Sequence, residues 1–225
     1  MEVALVQTSL HWEDPEANRK QLDTFLAPLS GKTDLVVLPE MFTTGFTMQP
    51  ENIDRAEAAR TLDWMREWSG QAGAALVGSL VWAEGEGYRN RLVFMKPDGS
   101  YAAYDKRHTF TLAGEDRVYQ RGTERLLVPF RGFMFCPMIC YDLRFPVWSR
   151  NTDNYDVLIY VANWPEVRIS AWDTLLRARA IENMAYVLGV NRLGSDPNHH
   201  RYPGHSAAYD SLGTPLAFAG KEEVL

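Results

Sequence analysis

Cysteine is scarce in this 225-residue chain: Cys136 and Cys140 are the only two. They lie four positions apart on one apolar run, Phe133–Cys140. As strand residues they share a face but sit too far apart to bridge. No disulfide is expected, and a reducing cytoplasm is the expected setting. C-x-x-x-C without a further cysteine or a suitably spaced histidine pair is also a poor metal site. No metal or other cofactor is expected. Long apolar runs are missing too, so nothing reaches the length that spans a bilayer. Met1–Gln7 is too short, and too uncharged at its start, for a secretory signal. Lys and Arg form no stripe and the net charge is −6. That removes the electrostatic footprint of a nucleic-acid binder and leaves an acidic surface suited to solubility. Repeats, linkers and low-complexity segments are absent, so residues 1–225 read as a single domain.

Short apolar runs rich in β-branched residues are abundant: Val3–Val6, Leu35–Leu38, Ala75–Val81, Leu92–Met95, Leu126–Val128, Phe133–Cys140, Val157–Val161 and Tyr186–Val190. Their near-continuous hydrophobicity suits strands buried on both faces. Pro97-Asp98-Gly99 reads as the tight turn of a hairpin. Helical spacing predicts helices over Pro15–Leu29 (capped by Asp14), Asp54–Trp68 and Ser170–Met184, the last with a capping-box-like start. Gly194–Gly204 is polar and reads as a loop. Strands alternating with helices, plus one hairpin, mean an α/β domain with a mixed sheet.

Three of the predicted strands end in chemically distinct groups. Leu35–Leu38 runs into Pro39 and Glu40, Tyr101–Asp105 runs into Lys106, and Phe133–Cys140 ends at its thiol. Catalytic groups in α/β folds gather at the C-terminal ends of strands. Singly, each has a plain reading: a solvated turn carboxylate, a surface lysine, a small core residue.

Their flanking residues change the balance. Asp34–Phe42 with Gly45-Phe46, Tyr104-Asp105-Lys106-Arg107-His108 and Ile139-Cys140-Tyr141-Asp142-Leu143-Arg144-Phe145-Pro146 together resemble the nitrilase-like carbon–nitrogen hydrolases. The motifs come in that family's order, Glu, Lys, Cys. Val161–Pro165 and Arg177–Asn183 match as well, and the resemblance runs along the whole chain. It is greatest to the bacterial ω-amidase branch, whose members hydrolyse side-chain amides of the α-ketoglutaramate type.

The resemblance implies a four-layer α-β-β-α sandwich of two mixed sheets flanked by helices, and a homodimer or larger assembly. It also implies a C-terminal tail, of which Lys221–Leu225 would be only the opening strand. For chemistry it implies a small amide substrate, Cys140 as nucleophile, Glu40 as general base and Lys106 as partner of the thiolate and oxyanion. The backbone N–H of Tyr141 is the second oxyanion donor. A second acid falls at Glu115, with Asp116 as the alternative. Trp164 and Phe42 are expected to line the pocket. A substrate carboxylate needs a cation from among Arg107, Arg144, Arg168 and Arg192. Asp142 and Arg144 are expected to hold the turn after Cys140, with Arg179 or Glu182 as ion-pair partners.

Other readings compete. A papain-like pair would join Cys140 to His108 or His205. His199, His200 and His205 suggest metal, with a spacing that fits no standard site. A nitrile or carbamoyl amine could replace the amide, or the chain could be a binding relative without chemistry.

Overall fold

The computed structural model describes residues 1–223. Strands β1 (Val3–Leu5), β2 (Leu35–Val37), β3 (Ala75–Glu84), β4 (Gly87–Met95) and β5 (Tyr101–Asp105) form a five-stranded sheet in that order. The first three are parallel and the last two antiparallel. The predicted turn at Pro97–Gly99 joins β4 to β5, closed by Lys96 N–H donating to Ser100 O at 2.8 Å. Then come β6 (Val128–Phe130), β7 (Phe133–Ile139), β8 (Val157–Ala162), β9 (Tyr186–Asn191), β10 (Leu193–Ser195), β11 (Arg201–Pro203), β12 (Ala207–Tyr209) and β13 (Pro215–Phe218). All but β10 and β11 make a six-stranded sheet, ordered β13-β12-β9-β8-β7-β6, with β7, β8 and β9 parallel.

The helices are α1 (Pro15–Leu26), α2 (Glu57–Ala72), α3 (Glu115–Val118), α4 (Pro146–Ser149) and α5 (Ile169–Asn183). Strand residues alternate between faces, and the two sheets use that alternation to build four layers. Leu35, Val37, Val77 and Phe94 of the first sheet share a core with Phe135, Ile139, Ile159 and Val161 of the second. Val36, Leu38 and Leu76 point the other way, onto Leu22 and Leu26 of α1 and Leu62 and Met65 of α2. Trp172, Leu176 and Ala180 of α5 cover the far face of the second sheet. Gly189 lets α5 come close: a Cβ there would sit 2.5 Å from Leu176 Cδ1. The expected layering is therefore present.

Several boundaries differ from expectation. Asp14 does cap α1, accepting from Ala17 N–H at 3.0 Å. Helix α2 starts three residues late, because Asp54 O accepts from Glu57 N–H and closes a turn instead. No side chain caps α5; Asp173, the expected capping carboxylate, faces His205 Nδ1 at 3.0 Å. The Gly194–Gly204 segment is not all loop, since β10 and β11 pair as an antiparallel ribbon at its ends. Lys221–Glu222 forms turn and bend rather than strand; Val224 and Leu225, the rest of that expected strand, lie outside the described residues.

Candidate active site

Strand β7 ends at Ile139, one residue before the thiol, so Cys140 is not a strand residue as its sequence suggested. Its φ of 46° places it in the left-handed region at the head of a tight helical turn, Cys140–Arg144. A side-chain-bearing residue is held there only when its surroundings insist. Asp142 insists. Buried completely, its carboxylate accepts from Ile139 N–H at 3.1 Å, Tyr104 O–H at 2.8 Å and His108 N–H at 2.9 Å. The expected ion pairs of this turn with Arg179 or Glu182 are not formed. Those two pair with each other at 2.8 Å, and Arg179 also donates to Leu143 O at 2.7 Å.

Glu40 follows β2 by three residues. Met41 beside it is also left-handed, φ 45°, and its N–H donates to Ser79 Oγ at 2.9 Å. Lys106 directly follows β5, with its N–H on Asn90 O at 3.0 Å. Glu115 opens α3 after the left-handed Gly114 and accepts from Phe110 N–H. These four segments converge. Lys106 Nζ donates to Glu40 Oε1 at 2.8 Å and to Glu115 Oε2 at 2.9 Å. Glu40 and Glu115 are wholly buried and Lys106 is 1% exposed. Of the two candidate second acids, Glu115 is the one that meets Lys106, whereas Asp116 is exposed.

Two asparagines complete the cluster, and sequence reasoning gave neither a role there. Asn90 Nδ2 donates to Glu40 Oε1 at 2.8 Å and Glu115 Oε1 at 3.2 Å. Asn163 N–H donates to Glu40 Oε2 at 2.9 Å, and its Nδ2 to Glu40 O at 2.6 Å. The one available signal for Asn90 was an amide in mid-strand, where such residues are depleted.

A cavity of about 430 Å³ opens over Cys140, walled by Tyr141, Trp164, Phe46 and Phe110. Asp196, His200 and Tyr202, from the β10–β11 ribbon and its connection, form another part of its lining. Phe42, expected in the wall, is not there. It is wholly buried beneath, its ring 6.0 Å from that of Trp64. Two of the four candidate cations reach the cavity, Arg144 and Arg168. Their guanidinium carbons lie 5.1 Å from the Trp164 ring and 5.0 Å from the Phe110 ring. Neither forms an ion pair among the described residues. Arg107 donates to Gly122 O, and Arg192 is buried on Leu10 O. His108 faces Asp142 at 2.8 Å and His205 faces Asp173, so neither imidazole is arranged as a partner for Cys140.

The sequence model of the carbon-nitrogen hydrolase family matches residues 2–225. The chain belongs to that family. It is 47% identical over 213 residues to the omega-amidase YafV of Yersinia enterocolitica, covering 95% of this chain and 82% of that one. It is 32% identical over 228 residues to the 2-oxoglutaramate amidase of Bacillus subtilis, covering 98% and 87%. A crystal structure of XC1258 from Xanthomonas campestris, a CN-hydrolase superfamily protein with an arsenic adduct in its active site, superposes with a TM-score of 0.96. That pair is 42% identical, covering 100% of this chain and 88% of that one.

The electrostatics of this carbon–nitrogen hydrolase follow from burial and two carboxylates around one ammonium. Burial disfavours the Lys106 ammonium, but Glu115 and Glu40 outweigh it and hold its pKa above the usual lysine range. Burial also raises the Glu115 carboxyl, against the pull of Lys106. Burial and the charge of Glu40 push the Cys140 thiol well above the usual cysteine value, against the smaller opposing pull of Lys106. Both effects favour the neutral thiol of Cys140 over the thiolate, so attack through this sulfur needs a base.

Proposed function

We propose that this hydrolase releases ammonia from a small carboxylated primary amide, such as α-ketoglutaramate or α-ketosuccinamate, through a thioester on Cys140. The chain is an amide hydrolase of the ω-amidase type. One observation carries the residue roles: a fully buried Glu40–Lys106–Glu115 hydrogen-bonded chain beside a thiol at the base of an open cavity.

Glu40 takes the thiol proton as sulfur attacks the amide carbon. Lys106 Nζ and Tyr141 N–H stabilise the oxyanion that forms. Glu40 then gives the proton to the nitrogen as the C–N bond breaks, and ammonia leaves. Water, deprotonated by Glu40, attacks the thioester and restores the thiol. A general base and an oxyanion donor each contribute roughly two to four orders of magnitude in rate. Glu115 keeps Lys106 charged and in place. Arg144 and Arg168, two cations in the cavity lining without carboxylate partners among the described residues, support an anionic substrate. Trp164 walls the cavity and donates through Nε1 to Arg168 O at 2.8 Å, which supports a role in placing that arginine.

The protein acts in the cytoplasm as a homodimer. Two reduced cysteines support the first. The second draws on exposed apolar residues about the end of α5, Ile181, Met184 and Leu212, and light scattering checks it.

The test is ammonia release from succinamate, α-ketoglutaramate, neutral propionamide and 3-cyanopropionate. Carboxylated amides should exceed propionamide at least tenfold in kcat/KM. Faster release from the nitrile than from succinamate, or no ammonia at all, overturns the reading.

A further inference from the structure

The two oxygens of Glu40 are unequally occupied. Oε1 accepts from both Lys106 Nζ and Asn90 Nδ2, each at 2.8 Å. Among the described residues Oε2 accepts a single hydrogen bond, from Asn163 N–H at 2.9 Å. A carboxylate oxygen has two lone pairs, so Oε2 is the one left with capacity to take a proton from sulfur and deliver it to nitrogen. With Lys106 as the oxyanion partner proposed above, a bound amide directs its carbonyl oxygen to Lys106 and its nitrogen to the other side, toward Oε2 and Asn163.

Asn163 presents one atom there. Its Nδ2 donates to Glu40 O at 2.6 Å. That bond fixes which way the amide faces, since the flipped amide would set oxygen against oxygen. The remaining atom, Oδ1, is buried and has no hydrogen-bond partner, in a residue only 4% exposed that lines the cavity. A buried acceptor with no donor costs free energy unless something fills it.

We infer that Asn163 Oδ1 accepts a hydrogen bond from the N–H₂ of the substrate amide, making Asn163 the residue that distinguishes an amide from an ester or acid. This rests on the amide-hydrolase reading above. In the covalent step the S–C bond forms and the C–N bond breaks. The thiol proton reaches nitrogen by way of Glu40, and NH₃ leaves. Asn163 holds that nitrogen against Oε2 while the proton transfers. A site built to hydrogen-bond an N–H rejects an analogue that lacks it.

Binding to a chemically silent protein separates this role from any indirect effect on Glu40 as an acid. In the Cys140→Ala background, calorimetry compares succinamate with monomethyl succinate, which keeps the carboxylate but has no N–H. Succinamate should bind more tightly. Adding Asn163→Ala should weaken succinamate about three- to tenfold and leave the ester within about twofold. Asn163→Ser, too short to reach the same point, is read identically if Asn163→Ala does not fold. The inference fails if succinamate binds no better than the ester in Cys140→Ala, or if both weaken by the same factor. It fails equally if succinamate is unaffected, as when Oδ1 serves only a water. Ammonia release by the unsubstituted protein is measured alongside. Its absence would remove the amide-hydrolase reading itself, whereas its presence with an unchanged Kd removes only the role of Asn163.

Discussion

Asp142 and His108 are joined twice, through the His108 backbone N–H at 2.9 Å and ring Nδ1 at 2.8 Å, both on Asp142 Oδ1. This fastens the turn carrying Cys140 to the segment carrying Lys106. The His108 ring is itself stacked on Phe145, centroids 3.6 Å apart. Asp142→Ala should therefore lower stability by roughly 3–5 kcal/mol, as one buried acceptor serves several donors. Urea unfolding of the purified variant measures it.

Cys140→Ala should abolish ammonia release while leaving the urea midpoint within about 0.5 M, because the change removes a single sulfur atom and Glu40 keeps its donors Lys106, Asn90 and Asn163. Turnover surviving at even a tenth of the original rate would mean that another group is the nucleophile.

Removing Lys106 leaves two carboxylates buried against each other. Lys106→Met should cost about 3–5 kcal/mol in stability and at least two orders of magnitude in kcat. Glu115→Gln in the same protein should recover part of the lost stability and none of the activity. Denaturation and steady-state kinetics on the single and double variants distinguish the two effects.

The pH dependence of Cys140 reactivity follows from the direction of its shift. Burial and Glu40 raise the thiol pKa, so the thiolate is scarce near neutrality and grows as pH rises past the ordinary value of about 8.5. Iodoacetamide labelling of Cys140 should climb with pH through 8.5 without a plateau. Glu40→Gln removes one of the raising charges, so labelling at pH 8 should quicken while amide turnover falls by two orders of magnitude or more. A labelling rate that levels off below pH 7 would mean a preformed thiolate.

The cavity arginines predict a selective defect. Arg168→Met should raise KM for succinamate about tenfold or more and leave propionamide unchanged, and Arg144→Met should do the same if both cations meet the carboxylate. Steady-state kinetics on the two substrates decides between one arginine and two. Arg107→Met, lying outside the cavity lining, is the control.

Much of this protein was legible in one dimension. The strands announce themselves because buried parallel strands are nearly continuous apolar runs, and Glu40 and Cys140 stand where two such runs stop. Motif order then pointed to the family. What the sequence could not supply is anything that depends on which segments meet. Asn163 binds Glu40 across 123 residues and Asn90 binds it across 50. No local pattern marks such partners, because only the packing of two sheets face to face creates them. The same packing buried Phe42, brought Arg144 and Arg168 rather than Arg107 and Arg192 to the cavity, and set Glu115 rather than Asp116 against Lys106. It also moved Cys140 off its strand into a left-handed turn that hydrophobicity cannot reveal, because the conformation is imposed by Asp142 reaching back to Ile139 and across to Tyr104 and His108. The sequence by itself determined the chemistry available and the order of its parts; the tertiary structure decided which oxygen of Glu40 keeps a lone pair open, since that depends on how many donors each already serves.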